Sequence, residues 1–270
     1  MKHSDVSDKL TGLAVIAESD KYSEEAKTLR KHLELSMSRV ISDWKSADLV
    51  LQIGDDGLTL IGNGQSLRGD FSRMLPRVSR GRLHGELLVK AAKIKGFGGT
   101  PMAIDATAGL GEDSFLLASA GFSVQLYERD PVIAALLKDA LLRAAAVPEL
   151  SEIAGRMTLI EADSQTELLE IKTSPDMVLL DPMFPARQKS ALVKKKLQLF
   201  QKLESPCRDE TALLNAALSA HPRKIVVKRP LNGPYLADRK PDYSIKGKTI
   251  RYDCIVLPQN GDKLIQKAGK

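Results

Sequence analysis

The sequence predicts an α/β protein: a mostly parallel sheet covered by helices on both faces, preceded by a small α+β unit. From residue 86 onward, short strand-like runs recur at helix-length intervals: MAIDAT (102–107), SVQLYE (123–128), MTLIE (157–161), MVLLD (177–181) and KIVVK (224–228). Such spacing calls for crossover connections rather than hairpins. The central runs MVLL and IVV are apolar throughout, as in strands buried on both faces. A glycine-containing turn directly follows the first run, the usual place for a ligand in an open parallel sheet.

In chain order, LAVIAES (13–19) reads as a strand and 24–35 as a helix. LVLQI (49–53) and LTLIG (58–62) flank Asp55-Asp56-Gly57, a hairpin signal. Residues 68–85 are rich in Gly and Arg, contain Pro76 and show no period, so the boundary is expected there. This gives a small N-terminal α+β subdomain over 1–78 and a second domain over 79–270. A helix near 86–95 leads to MAIDAT, and a helix from about 112 stops at Gly121. Asp130 as N-cap with Pro131 at the first helical position opens a long apolar-striped helix to about 146. Helices are expected over 164–171, about 188–203 and 209–219, and YDCIVL (252–257) forms the last strand.

The chain has 270 residues and a net charge of +6, unevenly divided: +1 over 1–83, −7 over 84–181 and +12 over 182–270. A basic segment attracts phosphate chains, so one part is expected to grip a polyanion while the acidic part does other work. No apolar run approaches the roughly 20 residues of a membrane span. The acids in MKHSDVSDKL argue against a secretory signal, and two cysteines 47 positions apart suggest free thiols. A cytoplasmic protein with no membrane partner and no metal is expected.

The candidate chemistry lies at the strand ends. Asp105-Ala106-Thr107-Ala108-Gly109-Leu110-Gly111-Glu112-Asp113 forms the glycine turn, with Asp105, Gly109 and Gly111 as candidate cofactor contacts. Ser114 replaces the third glycine of the dinucleotide fingerprint. Glu112 and Asp113, at the helix start, would repel a diphosphate but suit a cationic cofactor such as S-adenosylmethionine, or simply complement the helix dipole. Glu128, followed by Arg129, ends the next strand where an acid can accept from both ribose hydroxyls. Asp163 can accept from an adenine amino group, and Ser164 can bond the base or cap the following helix.

Asp181-Pro182-Met183-Phe184-Pro185 ends the fourth run. An acid, a proline and an aromatic ring suit methylation of an exocyclic amine, whose lone pair is delocalised. Asp181 and the Pro182 carbonyl would accept from the amine and localise that pair, and Phe184 would stack on the flipped base. Between Pro182 and Leu203 stand Arg187, Lys189, Lys194, Lys195, Lys196 and Lys202 with no acid, a one-sign helix suited to phosphates. Lys228 and Arg229 add to that expected RNA footprint.

DATAGLGEDSFLLASAG (105–121), YERDPVIAALL (127–137), LLDPMFPARQKSALVKKK (179–196) and IVVKRP (225–230) resemble the ribosomal RNA small subunit methyltransferase J family. The resemblance covers roughly 80–258, and Glu112 stands where the family has arginine. It implies a class I (Rossmann-like) S-adenosylmethionine-dependent fold of seven strands, the last antiparallel. It further implies methylation of guanine N2 in 16S rRNA or the small ribosomal subunit. Cofactor contacts would fall on Glu112, Asp113, Glu128, Arg129, Asp163, Ser164 and Asp181. A nicotinamide dehydrogenase would explain the glycine turn and Glu128, but not the acids at 112–113 or the DPMF turn. An adenine-N6 or protein-glutamine methyltransferase shares the logic of that turn. A non-catalytic RNA-binding assembly factor would bind RNA tightly without cofactor.

Overall fold

The computed structural model describes residues 12–38, 40–79, 81–94, 98–182 and 209–258. The expected basic helix, Phe184, Arg187, Lys189 and Lys194 to Lys196 lie outside them.

The N-terminal sheet has the order β1-β2-β3-β4, formed by β1 (Leu13–Ala17), β2 (Leu49–Gly54), β3 (Gly57–Gly62) and β4 (Gln65–Leu67). β1 runs parallel to β2 because α1 (Ser23–Ser36) crosses over between them, and the other pairs are antiparallel. The hairpin is where the sequence puts it: Gly54 pairs with Gly57 across Asp55-Asp56, and Gly57 adopts φ +96°. Alternate strand residues Leu49, Leu51, Leu58 and Leu60 face Leu33 of α1 in the core.

The second sheet follows α2 (Leu75–Val78) and α3 (Leu87–Ala92). Its parallel strands are β5 (Met102–Asp105), β6 (Ser123–Glu128), β7 (Met157–Glu161), β8 (Met177–Leu180) and β9 (Lys224–Pro230). α4 (Glu112–Ser119), α5 (Pro131–Ala145), α6 (Pro148–Ala154), α7 (Ser164–Glu167) and α8 (Glu210–Ser219) lie among the connections. β10 (Tyr243–Lys246) and β11 (Ile250–Val256) complete the order β10-β11-β9-β8-β5-β6-β7, with β11 antiparallel to both neighbours. The period-2 alternation sorts the core: Leu179 and Val226 pack with Phe115 and Leu116 of α4, whereas Val178, Leu180, Ile225 and Val227 pack with Leu213 and Leu214 of α8. Strand order reverses between β5 and β8, leaving a crevice beyond their carboxyl ends.

The structure departs from the sequence expectations in several places. The sequence does not predict β4, α6 or β10: β4 and β10 are too short to show a period, and α6 follows α5 after a break at Val147. The helix expected over 164–171 stops at Glu167, and Leu168 turns fully into the core. The aperiodic stretch 68–85 is built of short 3-10 and helical turns rather than a linker. Phe71 within it stacks on Phe115 of α4, with ring centroids 4.9 Å apart. Val132 and Leu136 of α5 are buried in the N-terminal core, so the two sheets share a helix. Among the described residues no helix is long and apolar enough to cross a membrane.

Candidate active site

The glycine turn after β5 is held from within. Gly109 adopts φ +54° and its N–H donates to Glu128 Oε2 at 3.0 Å, while a Cβ built on it would meet nothing within 4 Å. Open space therefore borders this turn. Gly111 differs: at φ +75° its missing Cβ would approach Leu137 Cδ1 at 2.8 Å, and its N–H donates to the Ala108 carbonyl. The lack of a side chain at Gly111 lets the turn pack against apolar Leu137, Phe71 and Leu126.

Asp105 is buried, accepting from Ser114 Oγ at 2.6 Å and from the Thr107 N–H at 3.1 Å. Burial pushes its carboxyl up to about 7, with Asp113 and Asp181 adding repulsion against those two bonds. Ser114, in place of the fingerprint glycine, thus ties α4 to β5. The sequence carried no signal of that bond.

Glu128 ends β6, only 4% exposed, and also accepts from the Asp130 N–H at 2.8 Å. Asp130 caps α5 as expected, accepting from the N–H groups of Val132 and Ile133. Beyond β7, Asp163 caps α7 by accepting from the Gln165 N–H at 2.9 Å, and lies 3.9 Å from the Arg129 guanidinium. The N-cap expected of Ser164 is corrected: Asp163 holds that position. The buried Ser164 hydroxyl donates to the Ala106 carbonyl at 2.7 Å, joining the loops after β7 and β5.

Asp181 follows β8 directly. Its N–H donates to Thr107 Oγ1 at 2.7 Å, and Oδ2 lies 2.8 Å from Lys228 Nζ. The same ammonium lies 2.7 Å from Asp113 Oδ2, so Asp113 is paired by a lysine, while Glu112 beside it is exposed. Burial raises the Asp181 carboxyl above its ordinary value and Lys228 opposes the rise. Burial likewise works against the Lys228 ammonium, but Asp113 and Asp181 outweigh it and raise its affinity for the proton. Pro182 is buried beside Asp181.

The surface phosphate contact expected of Arg229 is corrected by its burial, and Lys228 is paired with Asp113 and Asp181. Lys228 points into the crevice. Arg229 is 1% exposed and its guanidinium donates to Glu210 Oε1 at 3.0 Å and to the Pro234 carbonyl at 2.8 Å. They are neighbours in β9 and so face opposite sides of the sheet, Lys228 towards Asp113 of α4 and Arg229 towards Glu210 of α8, both sides being covered by helices; charge alone does not distinguish this from surface.

An open turn at Gly109, beside an acid clamped at the end of the second parallel strand, fits a nucleoside-bearing cofactor. With the seven-strand order and antiparallel β11, the fold and site define a class I methyltransferase that uses S-adenosylmethionine. Residues 33–257 match the family model described as "Putative SAM-dependent methyltransferase". The chain is 43% identical over 215 residues to ribosomal RNA small subunit methyltransferase J of Pseudomonas aeruginosa, covering 77% of this chain and 82% of that protein. It is 39% identical to the protein of that name from Thioalkalivibrio sulfidiphilus, covering 91% and 98%. A crystal structure of a SAM-dependent methyltransferase from Neisseria gonorrhoeae superposes with a TM-score of 0.71 at 31% identity, covering 94% of this chain and 99% of that one. The chain belongs to the ribosomal RNA small subunit methyltransferase J family.

Proposed function

We propose that the protein methylates the exocyclic N2 amine of a guanine in 16S rRNA of the small ribosomal subunit, in the cytoplasm. The relatives' name supports the rRNA substrate, and the DPMF turn supports an amine acceptor. The observation that carries the reading is Asp181, held at the switch point by Thr107 through its backbone and by Lys228 through its side chain.

When bound, S-adenosylmethionine supplies an electrophilic methyl group on a sulfonium. Glu128 would accept from the ribose hydroxyls and Asp163 from the adenine amino group, with Arg129 beside Asp163. The Gly109 turn lets the backbone approach the cofactor. Asp181 and the Pro182 carbonyl accept from the amine, localising its lone pair for in-line attack, and Phe184 stacks on the flipped base. Asp181 or water takes the proton that the amine releases. Holding amine and methyl together in a dry crevice contributes most of the rate. Arg187, Lys189, Lys194, Lys195 and Lys196 grip the RNA phosphates. In this reading residues 1–78 form a subdomain attached to the methyltransferase domain, 79–270.

The test is transfer of labelled methyl from S-adenosylmethionine to total RNA of a strain lacking the enzyme, followed by mapping of the labelled nucleotide. Label on a 16S guanine N2 is expected; label elsewhere, or none with cofactor bound, overturns the reading.

A further inference from the structure

We infer that Lys228 is a positioning residue for methyl transfer: its ammonium, shared between Asp113 and Asp181, fixes the Asp181 carboxylate in one orientation and keeps it ionised. The inference rests on the amine-polarising reading of Asp181 given above. Three separate elements meet at this ammonium: the first turn of α4 through Asp113, the loop after β8 through Asp181, and β9 through Lys228 itself. A compact ammonium with three donors can serve two carboxylates on different elements, whereas a planar guanidinium favours one carboxylate as a bidentate partner.

The surroundings say why Asp181 needs it. Burial favours its neutral form, and Asp113 from α4 adds repulsion. Asp105 at the end of β5 interacts with it repulsively as well. Tyr252 of β11 faces the same cluster, and burial, with Asp113 next, pushes its phenol up, so it stays neutral. The opposing cations come from β9: Lys228 and, more weakly, Arg229, whose guanidinium also bonds Glu210. A protonated Asp181 would present a donor on one oxygen and lose the charge that draws the amine hydrogens. Lys228 therefore sets the pH range over which Asp181 can polarise the amine.

The test follows the carboxyl carbon of Asp181 by NMR in the cofactor-free full chain, labelled on aspartate and assigned with Asp181→Asn. Removing the cation in Lys228→Met should raise the Asp181 midpoint by about 1–2 pH units, the usual effect of a close opposite charge. Lys228→Arg should keep the midpoint near that of the parent, and Asp113→Asn should lower it by removing repulsion. An unmoved midpoint in Lys228→Met overturns the inference. If that variant does not fold, Lys228→Gln decides: a raised midpoint supports the inference, and an unmoved one overturns it.

The acid limb of the pH–rate profile, at saturating cofactor and RNA, should move with the midpoint, up in Lys228→Met. A lysine with a purely structural role would lower kcat at every pH and leave the limb in place. Full turnover by Asp181→Ala, which removes the acceptor, would sink the amine-polarising reading while leaving the Lys228-dependent titration of the parent intact, so the two failures are distinguishable.

Discussion

The Glu128 carboxylate accepts the Gly109 N–H at 3.0 Å, so the acid ending β6 also shapes the glycine turn after β5. Its other oxygen accepts the Asp130 N–H ahead of α5. Glu128→Gln puts an amide donor against one of these N–H groups. We expect cofactor affinity to fall by about tenfold or more, since a hydrogen bond to a charged group is worth roughly 1.5–3 kcal/mol. Calorimetric titration with S-adenosylmethionine checks this; unchanged affinity would remove Glu128 from the site.

The two glycines of the turn should fail differently. Gly109→Ala adds a left-handed alanine costing about 1–2 kcal/mol but meets no neighbour, so cofactor affinity is expected to suffer more than stability. Gly111→Ala adds a clash with Leu137 to comparable strain and should lower the melting temperature more. Melting and cofactor titration of both variants separate the roles.

Asp105 predicts a particular pH dependence. Its folded-state value of about 7 lies above the unfolded carboxylate value, so the folded protein holds the proton more tightly. Its contribution to stability is full below about pH 4 and is lost as pH rises through about 7. Asp105→Asn should flatten this fall. Denaturant melts at about pH 5 and 8 measure it; an unaltered difference between the two pH values would refute the assignment.

Arg229→Met should destabilise the fold by about 1–3 kcal/mol, because it removes the bonds of a buried guanidinium to Glu210 and to the Pro234 carbonyl, while half-buried Glu210 keeps the Ala237 N–H. RNA binding by the folded fraction should keep its salt dependence. Replacing Lys194, Lys195 and Lys196 together by Ala should instead reduce the slope of log affinity against log salt by up to about 2, at roughly 0.7 for each phosphate no longer neutralised. Filter binding across a salt series checks both variants.

The parallel sheet was legible because its strands are apolar runs with chemistry at their carboxyl ends. The shift from Ser123–Glu128 to a capped helix at Pro131 can be read residue by residue. β4 and β10, three and four residues long, carry too little period to be read. In the site, residue type revealed Glu128 and Asp181 as strand-end acids, but not their partners. Thr107 and Lys228 act through bonds between elements distant in sequence, 74 positions for Thr107 and Asp181 and 115 for Lys228 and Asp113, and Ser114 through a bond across the glycine turn that residue type does not announce. Charge counting assigned Lys228 and Arg229 to the surface because a lysine or arginine in a buried strand reads the same as one in a loop.

Val132 and Leu136 of α5 floor the N-terminal sheet, and this bears on synthesis. The four small strands emerge from the ribosome well before the helix that closes their core. Until α5 follows, Leu51, Leu58 and Leu60 lack part of their cover, a transient stickiness that chaperones would have to mask. The N-terminal unit therefore locks only once the chain through Val132 and Leu136 has emerged, so its final folding step cannot precede completion of the β6 end and the first turns of α5.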